Sequence, residues 1–254
     1  MKIFVCVKHV PDTAANVKIV DGNSFDDSVK FVVNPYDEYA IEEAIQIKED
    51  TGGEVIVVTL GIPQATASIR LALAMGADRG IHIKTDELIV DTMTTVAALK
   101  KAIEQDGGAD LILTGKQSVD CESMQTHYYL AQALGLPIAT DVVDLVIEKD
   151  QAIVQSDLGN SEVAIMELDL PCVIAATKGL NEPRLPKLPN IMKAKKKPVK
   201  EITLEELIQE KPVHRTSVVS LEAAPEKGQA ILFEGSAVDV VEKLVEVFKE
   251  KAFI

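Results

Sequence analysis

The chain has 254 residues, with 26 basic and 40 acidic side chains and a formal net charge of −14. This length fits one large domain or two small ones, and such a chain can bury enough surface to form a full core. The acidic balance argues against a general nucleic-acid-binding protein, which usually presents a basic face. Only 4 % of the residues are aromatic and none is Trp, so we expect an aliphatic core.

The apolar runs and the cysteines indicate an intracellular, cytoplasmic protein that is not embedded in a membrane. The longest apolar runs are about seven residues, far short of the roughly 18–20 needed to cross a bilayer. Met1-Lys2 leads directly into a short apolar run without the cleavage site of a signal peptide. Cys6, Cys121 and Cys172 are far apart and odd in number, so they predict no disulfide framework and suit a reducing compartment.

Short apolar runs alternate with amphipathic segments over the first 140 residues. The pattern predicts strands at 3–7, 54–59, 81–84 and 110–114, and helices at 37–49, 64–75, 91–105 and 123–134. Repeated β-α alternation is typical of a parallel sheet with helices on both faces. The predicted fold class is therefore α/β, with a Rossmann-like sheet.

Three polar loops follow predicted strands, at 8–13, 60–61 and 115–126, where ligands bind in sheets of this kind. None carries GxGxxG or GxxxxGK[ST]. The third loop, GKQSVDCESMQT, leads into a predicted helix, and a helix N-terminus with nearby hydroxyl and amide groups suits a phosphate. Lys116 could add a cation. The alternative is a loop whose Ser and Thr side chains merely cap the helix.

The pattern changes after residue 140. Antiparallel strands are predicted at 142–147, 152–155 and 163–168, followed by a buried strand at 172–176 that includes Cys172. Four prolines between residues 177 and 200 predict that no regular element persists there, which leaves an extended arm with apolar residues and, within its last eight positions, five lysines. The arm either contacts another surface or ends in a solvated tail. The mixed segment 201–214 and an amphipathic helix at 240–248 could close the domain or wrap a second chain.

No catalytic or metal-binding constellation is visible. The four histidines have no metal-ligand spacing, and His82 lies in an apolar strand where we expect it to be packed. Cys121 has no evident activating partner except His127. Asp37 and Glu38 stand in the first turn of a predicted helix, where acids complement the helix dipole.

Several longer motifs, taken together in order, resemble one family. They are VCVK at 5–8, NPYDEYAIEEA at 34–44, RLALAMGADRGIH at 70–82, LTGKQSVD running on to Gln125-Thr126, and LNEPRLPKLPNIMKAKKKP at 180–198. Over essentially its full length the chain resembles the beta subunit of electron-transfer flavoprotein.

The resemblance implies an electron carrier without catalysis of its own. The beta subunit would pair with an alpha subunit that holds FAD, and the heterodimer would carry electrons from acyl-CoA-type dehydrogenases to a quinone-reductase-type acceptor. The beta subunit itself would bury one structural AMP, which gives an adenine-nucleotide-binding fold. The implied AMP contacts are Cys6, Asn34, Pro35, Tyr36, Asp37, Leu60, Gly115, Lys116, Gln117, Ser118, Val119, Asp120, Cys121, Glu122, Ser123, Met124, Gln125 and Thr126.

The arm is similar to the recognition loop of this family, in which a leucine, here Leu180, enters a pocket on the dehydrogenase. The docking residues implied by the resemblance are Leu180, Asn181, Glu182, Pro183, Arg184, Lys193, Lys195, Lys196 and Lys197. The predicted division is a nucleotide-binding domain at 1–176, the arm at 177–200 and a tail at 201–254 that packs on the alpha subunit.

Two alternatives stay open at this stage. Bifurcating members of the family bind a second FAD in place of AMP and oxidise NADH; the run from Asp120 to Thr126 is bulkier than their DGDT-like run and favours AMP. Cys121 and Met124 depart from the Asp and Asn that are usual in AMP-binding members, and Thr13 replaces an aromatic residue that lies near the flavin edge in some members. The second alternative is a stand-alone adenine-nucleotide sensor, for which the arm has no purpose.

Overall fold

The protein is described by a computed structural model that covers residues 1–254 except 21, 23, 27, 210–215, 224, 226, 227 and 229. The strands are β1 (Lys2–Cys6), β2 (His9–Pro11), β3 (Ile19–Val20), β4 (Ser24–Phe25), β5 (Phe31–Val33), β6 (Glu54–Gly61), β7 (Arg79–Lys84), β8 (Leu111–Gly115), β9 (Ile138–Glu148), β10 (Gln151–Gly159), β11 (Glu162–Asp169), β12 (Cys172–Ala176) and β13 (Val199–Thr203). The helices are α1 (Pro35–Thr51), α2 (Thr66–Met75), α3 (Thr92–Gln105), α4 (Thr126–Leu134), α5 (Leu188–Ala194), α6 (Leu204–Leu207) and α7 (Ala237–Glu250).

Within the described residues, nine strands form one sheet in the order β11-β10-β9-β12-β8-β1-β6-β7-β13. Along the stretch β9-β12-β8-β1-β6-β7-β13 each strand pairs in parallel with its neighbour, whereas β9, β10 and β11 form an antiparallel extension. The predicted α/β class, the Rossmann-like parallel sheet and the antiparallel strands are therefore confirmed.

Helices cover both faces of the sheet because side chains alternate along each buried strand. Ile3 and Val5 of β1 join the core that includes residues of α1 and α2. Phe4 and Cys6 point to the opposite core, which includes residues of α3, α4 and α6. Both cores are aliphatic apart from Phe4, as the composition predicted.

Local signals explain where several helices begin and end. Pro35 stands in the first turn of α1, where its missing N–H is not needed. The side chain of Asp91 accepts hydrogen bonds from the amides of Met93 and Thr94 and caps α3. Gly135 ends α4 in the left-handed region, as predicted. The helix predicted at 240–248 is confirmed as α7.

The prediction that no regular element persists between residues 177 and 200 is wrong. Residues 188–194 form α5, because Pro189 falls in the first helical turn, where proline is tolerated. Strand β13 begins at Val199 and pairs in parallel with β7 at the edge of the main sheet. The arm is therefore extended only up to α5. The mixed segment predicted at 201–214 lies partly outside the described residues.

None of the helices in the described part of the chain is both long enough and apolar enough to span a lipid bilayer.

Candidate nucleotide site at the ends of β1 and β8

The carboxyl ends of β1 and β8 meet at the point where the sheet changes direction. From β1 the chain continues to β6 on one side, and β8 lies on the other side of β1. Open α/β sheets bind ligands in the crevice at such a switch point. The segments after β1, before α1 and after β8 all reach this crevice, and they carry most of the predicted AMP contacts.

Asp37 joins these three segments. Its Oδ2 accepts a hydrogen bond from the Lys8 amide at 2.7 Å, and its Oδ1 accepts from Asn34 Nδ2 at 2.9 Å and from the Gly115 amide at 3.1 Å. The side chain is buried, and burial raises the pKa of its carboxyl to about 7 although these hydrogen bonds and Lys8 oppose the rise. Asp37 lies in the first turn of α1, as predicted, but its carboxylate also accepts hydrogen bonds from the backbone of two other segments.

Asn34 fastens the loop after β8 to the start of α1. Its Nδ2 donates to the Gln117 carbonyl at 2.8 Å, and its Oδ1 accepts from the Val119 amide at 3.1 Å. Gly115 is needed because a Cβ there would lie 2.7 Å from Tyr36 Cβ.

Lysines on both sides of the loop are paired with carboxylates. Lys8 Nζ lies 2.7 Å from Asp120 Oδ2 and 3.4 Å from Cys121 Sγ. Burial lowers the pKa of Lys8, but Asp120 and Cys121 outweigh it and leave the pKa above its ordinary value. Lys116 Nζ binds Asp141 at 2.9 Å and lies 5.7 Å from the Tyr36 ring. Neither ammonium is a bare cation, so an anion here would depend mainly on neutral donors.

The loop offers such donors in its backbone. Helix α4 begins at Thr126, three residues later than predicted, and residues 123–125 belong to the loop. Glu122 and Met124 adopt left-handed conformations with φ of 47° and 53°. The backbone amides of residues 123–128 donate no hydrogen bond to any described residue, and the Gln125 side chain does not cap α4. The alternative in which a Ser or Thr of this loop caps the helix is therefore wrong.

The remaining predicted contacts lie around the loop. Cys6 is buried opposite Thr114 in the β1–β8 register, and burial raises the pKa of its thiol far above the ordinary value. The Thr114 hydroxyl is buried without a hydrogen-bond partner in the described chain. Leu60 is half-buried, whereas the side chains of Cys121, Ser123 and Gln125 are exposed. The loop after β8 thus presents exposed polar side chains.

His127 is a residue that the sequence reasoning did not place in the site. It is buried in the first turn of α4, 4.4 Å from the Tyr128 ring, and burial lowers its pKa to about 4. His127 is therefore neutral at pH 7 and adds no charge to the crevice. Lys8 was predicted only as part of a strand-end loop, although its neighbours in the motif VCVK could have drawn attention to it.

Comparison with known proteins decides the family. The family model of the electron transfer flavoprotein domain matches residues 23–207, which is most of the chain. The chain belongs to the electron transfer flavoprotein family. It is 36 % identical over 255 residues to the electron transfer flavoprotein subunit beta of Bacillus subtilis, covering 99 % of each chain. It is also 36 % identical to the mitochondrial subunit beta of Arabidopsis thaliana over 259 residues, covering 100 % of each chain.

A further relative carries a different name. The caffeyl-CoA reductase-Etf complex subunit CarD of Acetobacterium woodii is 36 % identical over 265 residues, covering 100 % of each chain. The similarity to named beta subunits over the whole length identifies the chain as an electron transfer flavoprotein beta subunit. It is thus an electron-carrier subunit, and a beta subunit implies an alpha subunit as its partner.

In this beta subunit the first part of the arm is attached to α1. Arg184 makes a two-pronged pair with Glu42, at 2.9 Å from Nε to Oε2, and a second pair with Glu49 at 2.7 Å. Asn181 Nδ2 donates to the Tyr39 carbonyl and to Glu43. The arm therefore has a defined path along the helix that also begins the nucleotide crevice.

The arm's apolar residues differ in exposure. Leu180, the predicted anchor, is half-buried and packs against the core. Leu185 and Leu188 are 90 % and 72 % exposed. Glu182 is exposed and Pro183 is half-buried.

The predicted docking lysines also divide into two groups. The side chains of Lys193, Lys195 and Lys196 are exposed. Lys197 instead donates to the Leu73 carbonyl at 3.0 Å, near the end of α2. Only the first three present their charge at the surface.

Proposed function

We propose that this chain is the AMP-binding subunit of a non-bifurcating electron transfer flavoprotein. In this proposal its alpha partner holds FAD, and the heterodimer carries electrons from an acyl-CoA-type dehydrogenase to a quinone-reductase-type acceptor. AMP has a structural role, and the present chain contributes no catalytic group. The observation that carries the AMP assignment is the run of amides at residues 123–128 that donate to none of the described residues.

These amides suit a phosphate for two physical reasons. Successive N–H groups near left-handed residues form a concave anion site, and the N-terminus of α4 adds the positive end of the helix dipole. The adjacent lysines are already paired with Asp120 and Asp141, so recognition would rest on neutral donors.

Nucleotide content tests the assignment directly. The heterodimer is purified, denatured and analysed by chromatography; we expect one AMP and one FAD for each heterodimer. Two FAD molecules and no AMP would overturn the AMP assignment.

Met124 supplies a matched pair of variants for the same measurement. Because its φ is 53°, Met124→Ile forces a β-branched residue into the left-handed region, whereas Met124→Gly fits it. The left-handed conformation costs an ordinary residue about 1–2 kcal/mol, so we expect the Ile variant to hold AMP roughly 5–30 times more weakly than the Gly variant. Equal AMP retention by the two variants would contradict phosphate binding at this loop.

The second candidate is a bifurcating beta subunit with its own FAD in the same crevice. The similarity to the CarD subunit favours it, because that protein's name places it in a reductase complex. The phosphate-binding amides would serve either nucleotide. NADH oxidation and two resolved flavin potentials in a redox titration would support this candidate, and a single flavin signal would exclude it.

The arm is proposed to dock the dehydrogenase, with Leu180 as the anchor implied by the resemblance. Its exposed leucines and the surface charges of Lys193, Lys195 and Lys196 support an interaction surface that combines apolar and basic groups. Burial of one leucine contributes roughly 1.5–3 kcal/mol, which suits a complex that must form and dissociate.

The C-terminal tail is proposed to pack on the alpha subunit. Helix α7 supports this idea because Val238, Val241 and Phe248 leave an apolar stripe exposed. The division at 1–176, 177–200 and 201–254 belongs to the same proposal, with β13 and α6 returning to the main domain. A cytoplasmic location is also proposed; Cys6, Cys121 and Cys172 are free thiols, as expected in a reducing compartment.

A further inference from the structure

The carboxylate of Asp37 is fully engaged by the protein itself. Oδ2 accepts from the Lys8 amide, while Oδ1 accepts from Asn34 Nδ2 and from the Gly115 amide. The side chain is buried, so it does not reach an exposed ligand. Its three donors belong to three segments: the end of β1, the residue before α1 and the end of β8. Asp37 therefore acts on the crevice through its neighbours.

Asp37 also fixes the orientation of the Asn34 amide. Because Nδ2 of Asn34 donates to Asp37 Oδ1 and to the Gln117 carbonyl, Oδ1 of Asn34 is turned towards the Val119 amide. If the amide flipped, an NH₂ group would face the Val119 N–H and an oxygen would face two acceptors. The path of residues 117–119 thus depends on an acceptor at Asp37 Oδ1.

Protonation of Asp37 would weaken this arrangement. Both carboxylate oxygens accept from N–H donors, so an added proton removes the negative charge that strengthens the three hydrogen bonds and adds an O–H that none of these donors can accept. Burial raises the pKa of Asp37 to about 7, which places the change near neutral pH. The groups facing it are the Lys8 ammonium, which favours the ionised form, and the neutral Cys6 thiol of β1. Beyond them, the Lys116 ammonium and the Asp120 carboxylate of the loop are neutralised by their own partners.

We propose that Asp37 is a positioning residue that holds the nucleotide loop in its binding conformation only while its carboxylate is ionised. This inference rests on the proposed AMP site and adds a pH-dependent control to it. Asp37 orders the loop, and the loop's own amides hold the phosphate. Release of the nucleotide then follows protonation of one buried group.

The test compares three heterodimers loaded with radiolabelled AMP: the parent, Asp37→Asn and Glu38→Gln. Asn matches Asp in shape and removes a buried charge, so we expect the variant to fold, but its NH₂ group cannot accept from the Lys8 amide. Glu38→Gln removes a carboxylate from the next position, whose oxygens accept no hydrogen bond from any described residue. The AMP dissociation rate is measured between pH 8 and pH 6. The titration of the AMP phosphate in this range is common to all three proteins.

For the parent and for Glu38→Gln, the dissociation rate should rise about tenfold from pH 8 to pH 6, following the protonated fraction of a group with a pKa of about 7. Asp37→Asn should release AMP rapidly at both pH values and lose that slope. An Asp37→Asn heterodimer with the parent's rate and slope would overturn the proposal.

Amide hydrogen exchange without nucleotide separates this inference from the proposed function. In Asp37→Asn the Lys8 amide, which loses its acceptor, should exchange at least about tenfold faster than in the parent, and the amides of Gly115 and Val119 should follow as the loop loses its attachment, while the middle of α1 keeps its protection. Unchanged protection of these amides would overturn the positioning role. If no heterodimer retains AMP, the proposed AMP site is wrong, and the exchange result still decides whether Asp37 positions the loop.

Discussion

Removal of the Arg184 side chain should detach the arm from α1, and the two ion pairs of Arg184 allow the loss of stability to be estimated. The guanidinium binds two carboxylates of very different environment. Glu42 is only 4 % exposed and also accepts from Gln46, whereas Glu49 is 55 % exposed. Arg184→Ala leaves the buried Glu42 carboxylate with fewer donors, and loss of charge-assisted hydrogen bonds of this kind costs about 1.5–3 kcal/mol. The exposed pair with Glu49 adds about 0.2–1 kcal/mol.

A double-mutant cycle measures the two pairs separately. Urea unfolding of the heterodimer is followed for Arg184→Ala, Glu42→Gln, Glu49→Gln and the two double variants. We expect a coupling free energy of about 1.5–3 kcal/mol for Arg184 with Glu42 and less than about 1 kcal/mol for Arg184 with Glu49. Arg184→Lys should be intermediate, because an ammonium cannot bind both carboxylates with a planar fork.

The pH dependence of the Glu42 pair has a definite sign. Burial alone would raise the pKa of Glu42, but the hydrogen bonds from Arg184 outweigh it and lower the pKa below its ordinary value of 4.5. The stabilisation is therefore complete above that value and is lost as the pH falls through the lower, folded-state pKa. A coupling to Glu49 as large as the coupling to Glu42, or no loss of stability in Arg184→Ala, would refute the reasoning.

Leu185→Ala should raise the KM of the dehydrogenase for the heterodimer without changing its stability in urea. Leu180→Ala should raise the KM and also lower stability, because Leu180 packs against the core. Unchanged kinetics in both variants would contradict docking through the arm. Gly115→Ala introduces a Cβ within 2.8 Å of the backbone of α1. It should lower the free energy of unfolding by about 1–3 kcal/mol and reduce the amount of bound AMP. Full AMP content on chromatography would count against AMP binding in this crevice. Hydrogen bonds from Arg79 hold the pKa of Asp106 at about 2, so their stabilisation is present above the ordinary pKa of 3.8 and is lost as the pH falls through the folded-state value. Asp106→Asn should therefore be less stable than the parent at pH 7 and much closer to it at pH 2. An equal deficit at both pH values would disprove the assignment.

The sequence predicted the central strands because each is a continuous β-branched or aliphatic run covered on both faces. It did not predict β13, since Val199–Thr203 has only two large apolar residues and lies at the sheet edge. It did not predict α5 because a proline count ignores where each proline falls; in the first turn of a helix Pro189 costs little. Strand β13 depends on its place at the sheet edge, and α5 depends on the place of Pro189 in its first turn. The composition of these segments shows neither position.

The location of the crevice was predictable, but its construction was not. Strand-end topology pointed to the loop at Gly115, and the family motifs pointed to Asn34 and Asp37. The hydrogen bonds that join Lys8, Asn34 and Gly115 to Asp37 link positions up to 78 residues apart in the chain. No local pattern distinguishes such a buried acceptor from an acid at a helix start. The fold alone brings its donors together.

Helix α1 contains seventeen residues, about 25 Å of rigid rod. Its first turn holds Asp37, which binds the loop proposed to bind AMP, and its Glu42 and Glu49 bind Arg184 of the arm proposed to dock the electron donor. A tilt of this rod would be transmitted to both ends at once. We therefore expect bound AMP, which accepts no electron, to affect the position of the arm through α1. Removal of AMP should then slow reduction of the flavin in the alpha subunit.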